Sequence, residues 1–180
     1  MANFTVPASI LTTNGNEFGF AWIQHVPIRT VLGLRNARHV LENTYNNTPI
    51  SVDEHATFIA NYDELERADF ICRDEQTSEW IGGFSFVKTS RGLEIGNYIG
   101  NTKYLGRGFA FPIMGSLICY IGKYFGNETP LVSITKMENF KNINLNFKLG
   151  FTISRQLDDQ FWLMTRHRTK REDHDQTTPT

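Results

Sequence analysis

The chain is poor in cysteine: Cys72 and Cys119 are its only two, far apart and in no Cys-x-x-Cys arrangement. A disulfide scaffold is therefore excluded, and since no His, Cys and carboxylate residues fall at zinc-ligand spacing, no metal is expected. Charge of one sign is not in surplus either, with 18 Lys and Arg against 19 Asp and Glu for a formal net charge of −1. Without a basic excess there is no electrostatic footprint for a nucleic-acid partner, so any phosphate recognition has to be local. Long apolar runs are also missing. The start, MANFTVPASILTT, has no basic region leading into a sustained apolar stretch, and the interior apolar stretches are broken by Gly, Lys or Asn. A cytoplasmic chain with no membrane partner is the expectation, under which the Asn-x-Ser/Thr triplets at Asn3, Asn46 and Asn127 carry no glycan. No internal repeat is visible.

What is present describes an ordinary globular domain. Of 180 residues, 40% are hydrophobic and 13% aromatic, enough for one domain that hides roughly 70% of its unfolded surface. Residues 1–16 are weakly patterned, residues 17–166 carry the domain, and the tail HRTKREDHDQTTPT (167–180) has no apolar residue and is expected to be disordered.

Within 17–166, alternation predicts a first strand over 18–26, ending at Pro27. A broken helical pattern over 28–44, interrupted near Gly33 and Asn36, predicts two short helices with a bend. Ser51 and Glu54 form a capping box opening a helix that should end near Asp63. Strand patterns at 70–73, 80–88 and 93–99 predict an antiparallel meander, with Gly82-Gly83 marking a bulge or a close backbone approach. A strand at 131–135, a helix from Asn139 to Lys148 and a hairpin of 151–154 with 161–166 complete the pattern.

The segment LEIGNYIGNTKYLGRGFAFPIMGSLICYIGKYFG (93–126) organises the rest. An alternating strand, Leu93 to Ile99, runs into a loop with Gly100, Gly106 and Gly108, then into a helix with an apolar face of Ala110, Ile113, Met114, Leu117, Ile118, Ile121, Tyr124 and Phe125. A crossover of this kind makes strand 131–135 parallel to strand 93–99. Unpartnered N–H groups and the helix dipole make such a loop a seat for an anion like pyrophosphate, and Arg107 adds a charge. There is no third glycine at the dinucleotide-fold position and no Gly-Lys-Ser/Thr, so neither NAD nor ATP is favoured. The residues alone also fit a glycine turn that merely joins strand to helix.

Leu105-Gly106-Arg107-Gly108-Phe109-Ala110 resembles the acyl-CoA signature Gln/Arg-x-x-Gly-x-Gly/Ala of the GCN5-related N-acetyltransferase (GNAT) superfamily, with Leu105 in place of Gln or Arg. Downstream, Glu138-Asn139-Phe140-Lys141-Asn142 and Lys148-Leu149-Gly150-Phe151 resemble its Asn-x-x-Ser helix entry and its closing Lys-Leu-Gly-Phe. Upstream, Leu34-Arg35-Asn36 and Pro49 to His55 resemble the branch holding ribosomal-protein N-terminal and nucleotide-aminosugar acetyltransferases.

The resemblance implies a single α+β domain in three layers, a mixed central sheet whose central strands splay apart, and helices on both faces. It further implies an acetyl-CoA-dependent N-acetyltransferase acting on a primary amine, either a nucleotide-linked amino sugar or a protein or peptide N-terminus, by direct attack in a ternary complex, as a monomer or homodimer without a metal. Tyr98, Ile99 and Gly100 would touch the pantetheine arm, Leu105 to Ala110 the pyrophosphate, and Asn139 and Asn142 the pantetheine or nucleotide end, although capping alone would explain both asparagines. Arg35, Asn36 and His55 would border the acceptor. Glu94, on the central strand, is the carboxylate placed to take the ammonium proton, unless alternation turns it to solvent. Asn146 stands where related enzymes commonly carry the Tyr that protonates the leaving thiolate. A non-catalytic acyl-CoA sensor or scaffold is the alternative.

Overall fold

The computed structural model describes residues 7, 9–12, 15–125 and 129–167. Apart from His167, the expected disordered tail lies outside the described residues, as does much of the 1–16 segment.

The elements run β1 (Ile10–Leu11), β2 (Glu17–Trp22), α1 (Ile28–Arg35), α2 (Arg38–Leu41), α3 (Val52–Ala60), β3 (Arg67–Asp74), β4 (Trp80–Thr89), β5 (Gly92–Ile99), α4 (Ala110–Phe125), β6 (Leu131–Lys136), α5 (Phe140–Lys148), β7 (Thr152–Gln156) and β8 (Phe161–Arg166). The strands form one mixed sheet in the order β1-β2-β3-β4-β5-β6-β8-β7. Each pairing is antiparallel except β5 with β6, which are parallel because α4 carries the chain back across the sheet between them.

Alternation along β5 sends Leu93 and Ile95 to one face, where they are buried with Phe84 and Phe86 of β4 against Ile113, Met114, Leu117 and Ile118 of α4. Each such side chain taken from water stabilises the fold by about 1.5–3 kcal/mol. The opposite face is covered by α1, whose Val31 and Leu34 pack with Ile23, Val26 and Ile71, and Tyr98 lies against that cluster. Helices thus cover both faces, as expected.

The boundaries differ from the sequence reading where polar or turn geometry intervenes. The first strand ends at Trp22, and Ile23–His25 forms a 3-10 turn. Such a turn places positions i and i+3 on one side, so Ile23 and Val26 are both buried without strand alternation. Helix α3 stops at Ala60 rather than near Asp63, with the Asn61 side chain donating back to the Thr57 carbonyl at 2.8 Å. Strand β3 is longer than 70–73 because polar Arg67 and Asp69 belong to it, Asp69 being buried against the Arg67 guanidinium at 2.6 Å. The bend between α1 and α2 falls at Asn36 as expected. Both the capping box of Ser51 with Glu54 and the Asn139 cap of α5 form. The register shift lies in β3 between Cys72 and Arg73, opposite the start of β4. Gly82 itself marks a close approach, since a Cβ there would meet the β5 backbone at Tyr98 O and Ile99 Cα.

Candidate active site

Strands β5 and β6 pair only at Leu93↔Leu131 and Glu94↔Val132. Beyond Glu94 they part, and the gap opens into a cleft of about 1480 Å³ whose wall runs from α1 and α3 across β5 to the glycine loop and α5.

Hydrogen-bond alternation decides which main-chain groups face this gap. Leu93 N donates to Pro130 O at 2.9 Å on the β6 side, whereas Gly100 N donates to Ile81 O at 2.9 Å on the β4 side. In an antiparallel ladder the two directions alternate, so Ile95, Asn97 and Ile99 turn their N–H and C=O groups into the gap, and Tyr98 turns its own towards β4. One of these groups is already engaged: His39 Nε2 lies 2.8 Å from Ile99 O. A carbonyl only accepts, so this ring nitrogen carries the proton.

Of the stretch Tyr98, Ile99, Gly100, then, Ile99 alone presents its main chain to the gap. Tyr98 contributes its ring, which lies so close over Gly83 that a Cβ there would overlap it. Gly100 does not line the cleft; a Cβ there would fall on Leu34 O and Cα, so the glycine serves the passage of α1.

At the other end of the cleft lie Leu105, Gly106, Gly108, Phe109 and Ala110. Gly106 and Gly108 hold φ of 74° and 79°, which favours glycine. No neighbour stands within 4 Å of a Cβ built at either, so the loop at the α4 N-terminus is open to an incoming group. Arg107 is exposed and does not line the cleft; its guanidinium lies 5.8 Å from the Tyr104 ring centroid. Tyr104 in turn donates to Asp74 Oδ2 at 2.8 Å, which ties the loop to the end of β3.

The floor between β6 and α5 is polar. Asn142 Nδ2 donates to Thr135 Oγ1 at 3.1 Å, and Asn97 Nδ2 approaches Asn142 Oδ1 at 3.4 Å across the gap. Fully buried Asn146 donates to Ser133 Oγ at 3.1 Å and Thr135 Oγ1 at 3.0 Å, and its own Oδ1 has no partner. Asn139 lines the cleft, with its side-chain oxygen accepting from Asn142 N at 3.1 Å as the α5 cap. The exposed Lys141 and Lys148 also line this side.

On the α1 side, alternation puts Glu94 on the face shared with Tyr98. It lines the cleft, half-exposed, with Arg91 Nη2 at 3.5 Å from its carboxylate. His55 is buried on the cleft wall, where burial lowers its pKa. Arg35 reaches in from the end of α1, 6.0 Å from the Tyr98 ring centroid. Asn36 does not line the cleft; its amide donates to Ile50 O at 2.8 Å and accepts from Ile50 N at 2.9 Å, pinning the α1 end to the approach to α3.

His39, Asn97, Ser133 and Thr135 were not singled out from the sequence. The alternating Ser133-x-Thr135 in an otherwise apolar strand was the readable signal for two of them, and Asn97, in register with Ile95 along β5, for a third.

No family model and no curated protein matches this chain. Solved structures do. The chain is 18% identical to the spermidine N-acetyltransferase from Vibrio cholerae, solved in complex with CoA and spermine, with a TM-score of 0.73 over 84% of this chain and 95% of that one. It matches a domain from Methanocaldococcus jannaschii equally well, at 18% identity and a TM-score of 0.73 over 84% of this chain and 99% of that one. A protein from Bacillus halodurans matches at 17% identity and a TM-score of 0.71 over 90% of each chain. The fold of this chain is therefore that of the N-acetyltransferase structures, in agreement with the resemblance read from its motifs.

Proposed function

We propose that the protein is an acetyl-CoA-dependent N-acetyltransferase that transfers acetyl to a primary amine by direct attack in a ternary complex. The observation that carries this reading is the parting of β5 and β6 beyond Glu94, which leaves main-chain groups of Ile95, Asn97 and Ile99 facing a cleft that ends at an open glycine loop. An extended amide-bearing arm fits such an edge as an added strand would, and a pyrophosphate fits the Gly106–Gly108 loop at the α4 N-terminus. Acetyl-CoA has both parts and supplies the thioester.

Transfer of this kind asks little of side chains beyond orientation. A free N–H on the β5 edge would steady the oxyanion, and Glu94 would take the ammonium proton, directly or through water. The acceptor would enter from the α1 and α3 side, past Arg35 and His55. Nucleotide-linked amino sugars and peptide N-termini are the two acceptor classes that the motif resemblance supports.

One observation favours a second reading, a non-catalytic CoA-binding protein. Asn146, at the position where related enzymes commonly have an acidic Tyr, is fully buried and held by Ser133 and Thr135.

The test has two stages. Acetyl-CoA at 100 times its dissociation constant should stabilise the protein by about 2.7 kcal/mol, read as a rise in Tm. Thiol release with a panel of amines should then exceed the amine-free rate. A thermal shift without thiol release selects the second reading, and no shift at all overturns both.

A further inference from the structure

On the acceptor side of the cleft the charged groups are unevenly paired. The acidic side chains lining the cleft are Glu54, Asp69, Glu94 and Asp158, and every one of them is engaged. Glu54 accepts from Ser51 N at 2.7 Å in the capping box. Asp69 takes a two-pronged contact from Arg67 at 2.6 and 2.9 Å, Glu94 faces Arg91, and Asp158 accepts from Gln160 N at 2.8 Å and Phe161 N at 3.0 Å. Arg35 has the opposite condition. Its Nη1 is shielded from solvent and has no hydrogen-bond partner, and among the described residues no carboxylate pairs with it. The Tyr98 ring, with its centroid 6.0 Å from the guanidinium, brings no compensating charge.

A guanidinium donor shut off from water and left unmade costs stability unless something fills it. The guanidinium lies 6.0 Å from the Tyr98 ring centroid, on the β5 face that also carries Glu94 four residues along the strand, so the flanking groups of an amine bound near Glu94 share that face with Arg35.

We propose that Arg35 is an anion-recognising, specificity-determining residue, and that the acceptor is an amine that also bears a phosphate or carboxylate group. This rests on the acetyltransferase reading and narrows its substrate class: a polycation approaching Glu94 would find that carboxylate and Asp69 already paired with guanidinium groups and the unpaired cation of Arg35 facing it. The fixed fork of a guanidinium suits either oxyanion, taken end-on or in two-pronged fashion.

The experiment compares matched acceptors with acetyl-CoA saturating: glucosamine against glucosamine 6-phosphate for phosphate, propylamine against β-alanine for carboxylate, and spermidine as the polycation. In at least one pair the anionic member should have the higher kcat/KM by about tenfold or more, as a charge-assisted hydrogen bond predicts. In Arg35→Gln that advantage should vanish through KM, the anionic member losing about tenfold more than its neutral partner, while the KM for acetyl-CoA stays within about twofold. Should the Gln variant not fold, Arg35→Lys keeps the charge without the fork, and KM for the anionic member alone should rise. Preference for spermidine, an anionic advantage that survives Arg35→Gln, or equal losses for both members of a pair would overturn the proposal. If no amine turns over, the transferase reading fails, and calorimetry on CoA-saturated protein judges Arg35 separately. Binding of glucosamine 6-phosphate or β-alanine that Arg35→Gln removes supports the anion seat, and no binding of either overturns it.

Discussion

The Tyr104 hydroxyl donates to Asp74 Oδ2 at 2.8 Å and so fixes the start of the glycine loop to the end of β3. Burial raises the Tyr104 pKa to about 12, so the donor keeps its proton at any physiological pH. Burial alone would raise the Asp74 pKa, but hydrogen bonds from Tyr104 and from the N–H groups of Thr77 and Gln76 outweigh it and hold the carboxyl below its ordinary value. A carboxyl whose pKa is depressed on folding stabilises the protein above its unfolded pKa, and that contribution is lost as pH falls through the folded value. Tyr104→Phe should therefore cost about 1.5–3 kcal/mol near pH 7, with a shallower loss of stability in acid than the parent shows. Denaturant melts from pH 7 down to pH 3 check both, and a variant whose acid limb is unchanged would remove Tyr104 from the account of Asp74.

Gly108→Glu should abolish acetyl-CoA binding while leaving a folded protein. The site has room, with no atom within 4 Å of a built Cβ, but φ is 79°, and the new carboxylate would occupy the anion seat at the α4 N-terminus. Strain of this kind costs about 1–3 kcal/mol, less than most domains can lose, whereas the repulsion acts directly on a pyrophosphate. Calorimetric affinity within about threefold of the parent would dismiss the loop as the pyrophosphate seat.

How far the sequence could be read depended on what kind of signal each part of the site left. The glycine loop, the α4 face and the capping box at Ser51 are local: each depends on residues within a turn or two of one another, and each formed where its pattern stood. The site's other wall depends on register. Nothing in a single strand says that Ile95, Asn97 and Ile99 rather than Tyr98 turn their main chain to the gap, because that follows from how β4 pairs with β5. Nor could sequence tell that Asn36 and Gly100 stand outside the cleft lining, since the neighbours that place them, Ile50 and Leu34, are brought to them only by tertiary packing. Arg35 was legible as a residue but not as an unpaired cation, which only the three-dimensional positions of the other charges disclose.

Gly82→Ala should be among the most damaging single changes outside the cleft. A Cβ at Gly82 would overlap Tyr98 O and lie 2.9 Å from Ile99 Cα, both backbone atoms that cannot swing aside. Relief requires β4 to move from β5, which carries the cleft edge, so stability should fall by on the order of 3 kcal/mol or more. Gly106→Ala, at an open position, should cost only about 1 kcal/mol through its φ of 74°. Equal melting temperatures for the two variants would contradict this reading of the β4–β5 approach.

Glu94→Gln should lower turnover at neutral pH without weakening acetyl-CoA binding. An acceptor ammonium with a pKa well above 7 is almost wholly protonated, and general-base assistance is typically worth about 10²–10⁴-fold. Glutamine keeps the shape and loses the proton acceptor, and it also ends the 3.5 Å ion pair with Arg91. Arg91→Gln serves as the control for that second effect, because it breaks the same half-exposed pair, worth at most about 1 kcal/mol, and leaves the carboxylate in place. A base role predicts that the Glu94→Gln rate recovers as pH rises and free amine becomes available without help, while Arg91→Gln stays close to the parent at every pH. A deficit in Glu94→Gln that is the same at pH 6 and pH 9 would point to lost positioning. A rate within about twofold of the parent would make Glu94 a solvated strand carboxylate, and the proton would then have to leave by another route, for which the buried imidazole of His55, also on the cleft wall, is a candidate.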